Sequence, residues 1–354
     1  MRRLLITGAA GFIGTNFVHY WLANHADDFI VGLDALTYAA NRDSLAAAIP
    51  NPQFRFVHGD IRDRALVISL LKEEQLDTIV HFAAESHVDR SISNPGAFLD
   101  TNVIGTHHLL EAARQVWLAK PEVEHRFHHV STDEVYGSLG ANDPPFTEDN
   151  RYDPQSPYAA SKAASDHLVR AYGNTYGLRH TISNCSNNYG PYQFPEKLIP
   201  LCILNLLEGV PLPIYGDGQY IRDWLHVEDH CVGLDLILTH GREGETYNIG
   251  GNCEYTNLAL VHQLCEIMDH CRPGTAVRPH NRLITFVKDR PGHDRRYAID
   301  ASKIRQGLGY VPRHSIVSGL QEVVRWYIDN ESWWQALVAR TKNSSSHNPV
   351  QSKD

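Results

Sequence analysis

Leu4-Leu5-Ile6-Thr7-Gly8-Ala9-Ala10-Gly11-Phe12-Ile13-Gly14 decides the fold. A short apolar run meets a Gly-x-x-Gly-x-x-Gly series that opens a helical stretch. Such a series permits a tight turn, close approach of backbone to a pyrophosphate, and phosphate charge at a helix N-terminus. A glycine triplet alone is weak evidence. It gains force from Asp34, which closes the second apolar run about twenty residues on, where a carboxylate accepts from ribose hydroxyls. That carboxylate would repel a 2′-phosphate, so the expected cofactor is NAD rather than NADP; Arg42 lies nearby but not at the strand end. Asp60-Ile61 closes the third run and is expected beside the adenine. Ala83-Ala84-Glu85-Ser86 closes the fourth, with small residues that let backbone approach the nicotinamide side. Thr101 and Asn102 offer a further polar contact or cap local structure.

Outward from that stretch, apolar runs at 4–7, 29–33, 54–57, 78–82, 127–131 and 181–183 read as strands buried on both faces. Helical patterning lies between them at 16–25, 65–74, 95–119 and 161–176. The alternation predicts an α/β fold: a Rossmann-type, doubly wound parallel sheet with ligands gathered at its carboxyl edge. After residue 185 turn-rich sequence takes over, as in Asn187-Asn188-Tyr189-Gly190-Pro191. We expect an NAD-binding domain over 1–185, with segments near 225–250 and 298–304 returning to it. A smaller mixed α/β domain over 186–335 is expected to close on the ligand edge, and the polar tail 341–354 to be disordered.

The chain has 354 residues and a net charge of −9, which argues against a nucleic-acid surface while allowing a local basic pocket. Six cysteines without a C-x-x-C pair read as reduced thiols of a cytoplasmic protein. Met1-Arg2-Arg3 before Leu4-Leu5-Ile6 imitates the start of a signal peptide, but the apolar run stops after three residues. No stretch approaches the ~20 apolar residues that cross a bilayer. His226-x-Glu228-x-His230 lacks the H-E-x-x-H spacing, and no metal is expected there. His125, His128 and His129 are expected to pack around a buried strand.

The chemistry sits in Thr132-Asp133-Glu134, Tyr158 and Lys162. Tyr158 and Lys162 are four apart and share a helix face. An ammonium beside a phenol favours the phenolate, so Tyr158 is expected to have a lowered pKa and to take a hydroxyl proton while NAD takes hydride. Oxidation alone has no need of two adjacent acids. In a closed site adjacent carboxyls push their pKa values apart, so one can donate a proton while the other accepts one. The residues alone do not say which is which.

These motifs together resemble the nucleotide-sugar branch of the extended short-chain dehydrogenase/reductase superfamily, and in detail the dTDP-glucose 4,6-dehydratase family. The matching stretches are 7–14, 81–91, 131–137, 156–162, 184–200, 221–224 and 289–294, within a resemblance spanning 1–330. It implies a hydro-lyase acting on dTDP-glucose with a tightly held NAD that is regenerated each turnover. Tyr158 would deprotonate the C4 hydroxyl, Thr132 would bond near that oxygen, Glu134 would remove the C5 hydrogen, and Asp133 would protonate the departing C6 hydroxyl. It also places Gly8, Gly11, Phe12, Ile13, Gly14, Asp34, Asp60, Ile61, Ala83, Ala84, Ser86, Thr101, Tyr158, Lys162 and Asn188 on the cofactor. The substrate would meet Ser86, Thr132, Asn187, Lys197, Leu198, Arg222, Asn257, Arg290 and His293, with Pro213 and Tyr215 framing the base. Lysine and arginine make physical sense there as diphosphate partners. A homodimer is implied, with helices at 95–119 and 161–176 packing across a two-fold axis.

Rival enzymes of the same fold are a UDP- or CDP-sugar 4,6-dehydratase, a 4-epimerase or a decarboxylase. The last two share Tyr158 and Lys162 but have no use for a paired acid and base at C5 and C6. A non-catalytic NAD sensor would need no Tyr158/Lys162 pair at all.

Overall fold

The computed structural model describes residues 1–119, 124–274, 277–289 and 293–345. Six strands of the first half are β1 (Arg3–Thr7), β2 (Phe29–Asp34), β3 (Phe54–His58), β4 (Thr78–His81), β5 (Arg126–Thr132) and β6 (His180–Cys185). The second half adds β7 (Asn187–Tyr189), β8 (Leu212–Tyr215), β9 (Ile221–His226), β10 (Thr246–Ile249), β11 (Glu254–Thr256) and β12 (Ile284–Val287).

Seven of these form one parallel sheet in the order β10-β6-β5-β4-β1-β2-β3. The chain winds outward from β1 to β3, then restarts at β4 on the other side of β1. That reversal opens a crevice beyond the carboxyl ends of β1 and β4. Leu4, Leu5, Ile6, Ile79 and Val80 are fully buried, as strands covered on both faces must be. Seen from the second half, the helix Val227–His240 packs Leu234, Ile237 and Leu238 into the same core as Phe17 and Trp21, and Ala301 and Ile304 join it. A second core gathers Ile203, Trp224, Leu260, Leu264, Val323, Tyr327 and Trp334, beside the small sheets β11-β9-β7 and β12-β8.

Two helices begin earlier than their patterning suggests. The first runs Phe12–Asn24 directly from Gly11, so the glycine turn feeds straight into a helix N-terminus. The helix Pro157–Tyr176 starts with Ser156 accepting from the Ala159 amide at 3.1 Å and Pro157 in the first turn, where its missing N–H costs nothing. Tyr158 thereby falls in the first helical turn. The stretch expected as one helix at 95–119 is Pro95–Phe98, a π-helical segment Leu99–Gly105, and Thr106–Trp117. The tail expected to be disordered from 341 is helical at first, because Glu331–Ser345 is one helix whose Ala336, Leu337, Ala339 and Arg340 favour that state. The rest of that tail, 346–354, lies outside the described residues.

Candidate active site

A cavity of about 510 Å³ occupies the crevice. Gly8, Gly11, Phe12, Ile13, Gly14, Asp34, Asp60, Ile61, Ala83, Ala84, Ser86, Thr101 and Asn188 line it together with Tyr158 and Lys162. Gly8 has a φ of +69°, and a Cβ there would sit 2.7 Å from the Ala83 nitrogen. A Cβ on Gly14 would run into the Gly8 carbonyl. The turn is therefore bare backbone at a helix N-terminus, the cradle a dinucleotide pyrophosphate requires. Asp34 holds the turn in place: its oxygens accept from the Ala10 amide at 2.9 Å and the Leu36 amide at 2.7 Å. Burial pushes its carboxyl above the ordinary range, partly offset by those amides. Arg42 lies over the Phe56 ring, 5.5 Å from its centre, and is engaged there. Asp60 pairs with Arg62, whose guanidinium holds it below the usual carboxylate range. Asn102 caps local structure, bonding both backbone groups of Glu85 and the Ser161 hydroxyl.

Along the opposite wall β5 ends in Thr132, and Asp133–Tyr136 forms a single 3-10 turn. Thr132 caps it, accepting from the Glu134 amide at 3.3 Å, while its hydroxyl donates to Asp133 Oδ1 at 3.3 Å. Asp133 is only 2% exposed and its Oδ2 has no partner among the described residues. Burial, then the charges of Glu134 and Asp223, lift its carboxyl well above the ordinary range, towards the protonated acid.

The expected lowering of Tyr158 is not found. Its phenol stands well above its ordinary value, raised by burial and then by the Glu134 carboxylate, with a hydrogen bond from Thr132 working the other way. Lys162 turns its ammonium to the Val130 carbonyl at 2.9 Å and to His129 Nε2 at 3.4 Å. Burial brings Lys162 down to about 8. The sequence spacing placed both groups on one face but could not show what else surrounds them.

Of the substrate residues, Ser86, Thr132, Asn187 and Lys197 line the same cavity, and Lys197 donates to the Ser86 carbonyl at 3.3 Å. Leu198 opens the helix Leu198–Glu208 directly after Lys197. Pro213, Tyr215, Asn257 and His293 lie outside that cavity. The last three gather around Tyr220, a residue the sequence did not single out. His293 stacks on its ring at 3.6 Å, Tyr215 meets His293 edge-on, and the Asn257 amide donates to its carbonyl at 2.9 Å. Arg222, on β9, donates to the Ile221 and Asp294 carbonyls and lies 4.3 Å over the Tyr297 ring; its charge reaches Asp133. Arg290 lies outside the described residues.

The family described as GDP-mannose 4,6 dehydratase matches residues 5–323. A dTDP-glucose 4,6-dehydratase of Neisseria meningitidis serogroup B is 54% identical over 343 residues, 96% of either chain. The chain belongs to the dTDP-glucose 4,6-dehydratase family. A dTDP-glucose 4,6-dehydratase of Streptomyces venezuelae, solved with NAD bound, superposes with a TM-score of 0.86 at 49% identity, over 95% of this chain and 99% of that one. A UDP-glucuronic acid 4-epimerase of Bacillus cereus, solved with UDP-glucuronic acid and NAD, reaches 0.81 at 27% identity over 92% and 99%.

Beside these dTDP-glucose 4,6-dehydratase relatives, two features of the site went unread in the sequence. Glu196 lines the cavity, accepts from the Tyr38 hydroxyl at 3.0 Å and faces His87 and Arg90 at 3.8 Å each. Cys185 lines it too, with its thiol pushed up to about 12 by burial and Asp133. Both lie within the matching stretch 184–200, but neither residue has a spacing that singles it out. The stretch His226 to His230 does separate: His230 bonds Asn188 at 2.9 Å, and His226 stacks on His314. His226, His314 and Glu322 offer ligand atoms within 4.8 Å of one another. His226 Nδ1 accepts from the Glu228 amide and His314 pairs with Asp229, so both histidines already have protein partners.

Proposed function

We infer that the chain catalyses the NAD-dependent dehydration of dTDP-glucose to dTDP-4-keto-6-deoxyglucose. One observation carries this reading: Asp133 and Glu134, on a single turn, share one cavity with Tyr158, Lys162 and the glycine turn. NAD, held by the glycine turn and Asp34, supplies the acceptor for hydride from C4 and the donor of hydride to C6. The side chains move the protons. Tyr158 acts as the phenolate, a form that the Lys162 ammonium and the positive nicotinamide ring of bound NAD would favour over the phenol that burial and Glu134 favour, and takes the proton of the C4 hydroxyl, with Thr132 bonded near that oxygen. The resulting ketone acidifies C5, whose hydrogen Glu134 removes and later returns. Asp133, protonated at rest, delivers its proton to the C6 hydroxyl, which leaves as water. The cycle leaves Tyr158 protonated and Asp133 ionised. The Thr132 hydroxyl is within hydrogen-bonding reach of both and is the short route for resetting them. Lys197 and Arg222 are the diphosphate partners among the described residues.

Incubation with dTDP-glucose tests the reading directly. Mass spectrometry should show loss of one water, and alkali should develop the absorbance of a 4-keto sugar. Unchanged mass, with a galactose nucleotide formed from UDP-glucose, would overturn it in favour of an epimerase.

The protein is further read as a cytoplasmic homodimer. All six cysteines are free thiols, and no described helix is long and apolar enough to cross a membrane. Leu99, Ile104 and Tyr176 are about half exposed, on the elements expected at the two-fold axis. Scattering should give twice the 39.9 kDa chain mass, and Leu99→Lys should shift it towards monomer.

A further inference from the structure

The helix Pro157–Tyr176 carries a row that Tyr158 and Lys162 do not exhaust, because Asp166 and Arg170 continue it at the same four-residue spacing. Asp166 is fully buried. A buried carboxylate persists only where hydrogen bonds and opposite charge compensate its lost hydration. Its Oδ2 accepts from Ser131 Oγ at 2.9 Å and from the Tyr152 hydroxyl at 2.8 Å, and Arg170 donates to that same Tyr152 oxygen at 2.8 Å. Its Oδ1 lies 3.2 Å from His129 Nε2, with both side chains sealed from solvent. That same Nε2 is the atom 3.4 Å from Lys162 Nζ. One imidazole nitrogen thus sits between a buried ammonium and a buried carboxylate.

We propose that His129 and Asp166 are positioning residues for the redox step: Asp166, acting across the His129 imidazole, keeps Lys162 charged and fixed at the end of β5, one helical turn along from Tyr158. The proposal rests on the dehydratase reading. An ammonium this deep, bonded to one carbonyl, would give up its proton without a counter-charge. Lys162 stands at about 8, with burial pulling it down and Asp166 holding it up. Burial and then the Lys162 charge take His129 down to about 4, so at neutral pH the ring between the two charges is itself neutral. Burial works against Asp166, yet His129, Lys162 and Arg170 together hold it below its ordinary range. The remaining titratable groups around Lys162 do not supply that anion. On β4, His81 is tied to Thr7 and Thr106 and kept neutral by burial; on β6, the Cys185 thiol is pushed up to about 12. In the turn after β5 the Asp133 carboxyl is shifted towards its neutral form by burial, and Glu134 and Tyr158 belong to the sugar chemistry.

Lys162 is charged below its pKa and loses that charge as pH rises through it. Asp166→Asn keeps an acceptor for Ser131 and Tyr152 but removes the anion, so the loss moves to lower pH. The experiment is stopped-flow reduction of enzyme-bound NAD by dTDP-glucose, followed against pH in wild type and Asp166→Asn. The alkaline limb of the variant should move down by about one pH unit, roughly a fivefold smaller rate at pH 8 when both profiles are scaled at pH 6, with KM little changed. A role confined to folding would lower the melting temperature and scale the rate equally at every pH, and superimposable scaled profiles would overturn the proposal. Should Asp166→Asn not fold, His129→Gln takes its place. Its neutral amide still bridges, so a smaller shift of the same sign is expected and an unshifted limb overturns the idea. Wild type that neither reduces NAD nor expels water would instead sink the dehydratase reading.

Discussion

Asp133 shows at the scale of one residue how the site trades stability for chemistry. Its folded pKa lies above the unfolded value, so the folded state keeps a proton that the unfolded chain releases near pH 4. The favourable contribution is complete at low pH and declines as pH rises towards the folded pKa; beyond it a bare carboxylate is buried. Asp133→Asn removes that dependence. It should raise stability by on the order of 1–2 kcal/mol at pH 8 and by less at pH 5, read as melting temperature at the two pH values. The same variant cannot donate the proton that expels water, so turnover should fall about 10²–10³-fold while bound NADH accumulates. Loss of activity without that accumulation would place Asp133 outside the elimination step. Glu134→Gln differs in where it stops: with no base for C5, a 340 nm signal should appear and no mass change follow. Normal turnover by this variant would remove Glu134 from the base role.

At the scale of elements the sequence was legible wherever one local rule decides the outcome. The glycine turn, Asp34 at the end of β2 and the four-residue spacing of Tyr158 and Lys162 each follow from backbone geometry, and the structure sets all of them around one cavity. What could not be read were partners supplied by distant chain. Lys162 turned to His129 rather than visibly to the phenol, and Tyr220 became the hub for Tyr215, Asn257 and His293 through contacts that no spacing encodes. In sequence His129 reads as packing around a buried strand; only the tertiary fold shows it wedged between Lys162 and Asp166. Element boundaries also carry function. Ser156 caps the turn that bears Tyr158, so Ser156→Ala should cost about 1 kcal/mol in chemical denaturation and lower turnover more than it raises KM, by loosening that turn. A variant equal to wild type in both would show that packing, not the cap, fixes Tyr158.

At the scale of the molecule, catalysis that returns its hydride within each turnover depends on the cofactor staying in place between oxidation and reduction. Among the described residues the two halves of the chain meet at the cavity through polar contacts of Glu196 and Lys197. Tyr38, in the loop after β2, donates to Glu196 from the second half, and Arg90 lies 3.5 Å over the Tyr38 ring. Lys197, next along, reaches back to Ser86. Glu196 and Lys197 thus bind the second half to two loops at the carboxyl edge of the sheet, and all of Ser86, Glu196 and Lys197 line the cavity. A hydrogen bond to a charged acceptor is worth roughly 1.5–3 kcal/mol, enough for about a tenfold or greater change in a dissociation rate. Tyr38→Phe keeps the ring beneath Arg90 and deletes only that bond. It should therefore release NAD about tenfold faster, copurify with less of it, and regain turnover when NAD is added. The bond lies away from Asp133 and Glu134, so the rate at saturating NAD should stay near wild type. An unchanged NAD content would mean that the glycine turn and Asp34 hold the cofactor unaided, and that the contacts between the halves serve the sugar alone.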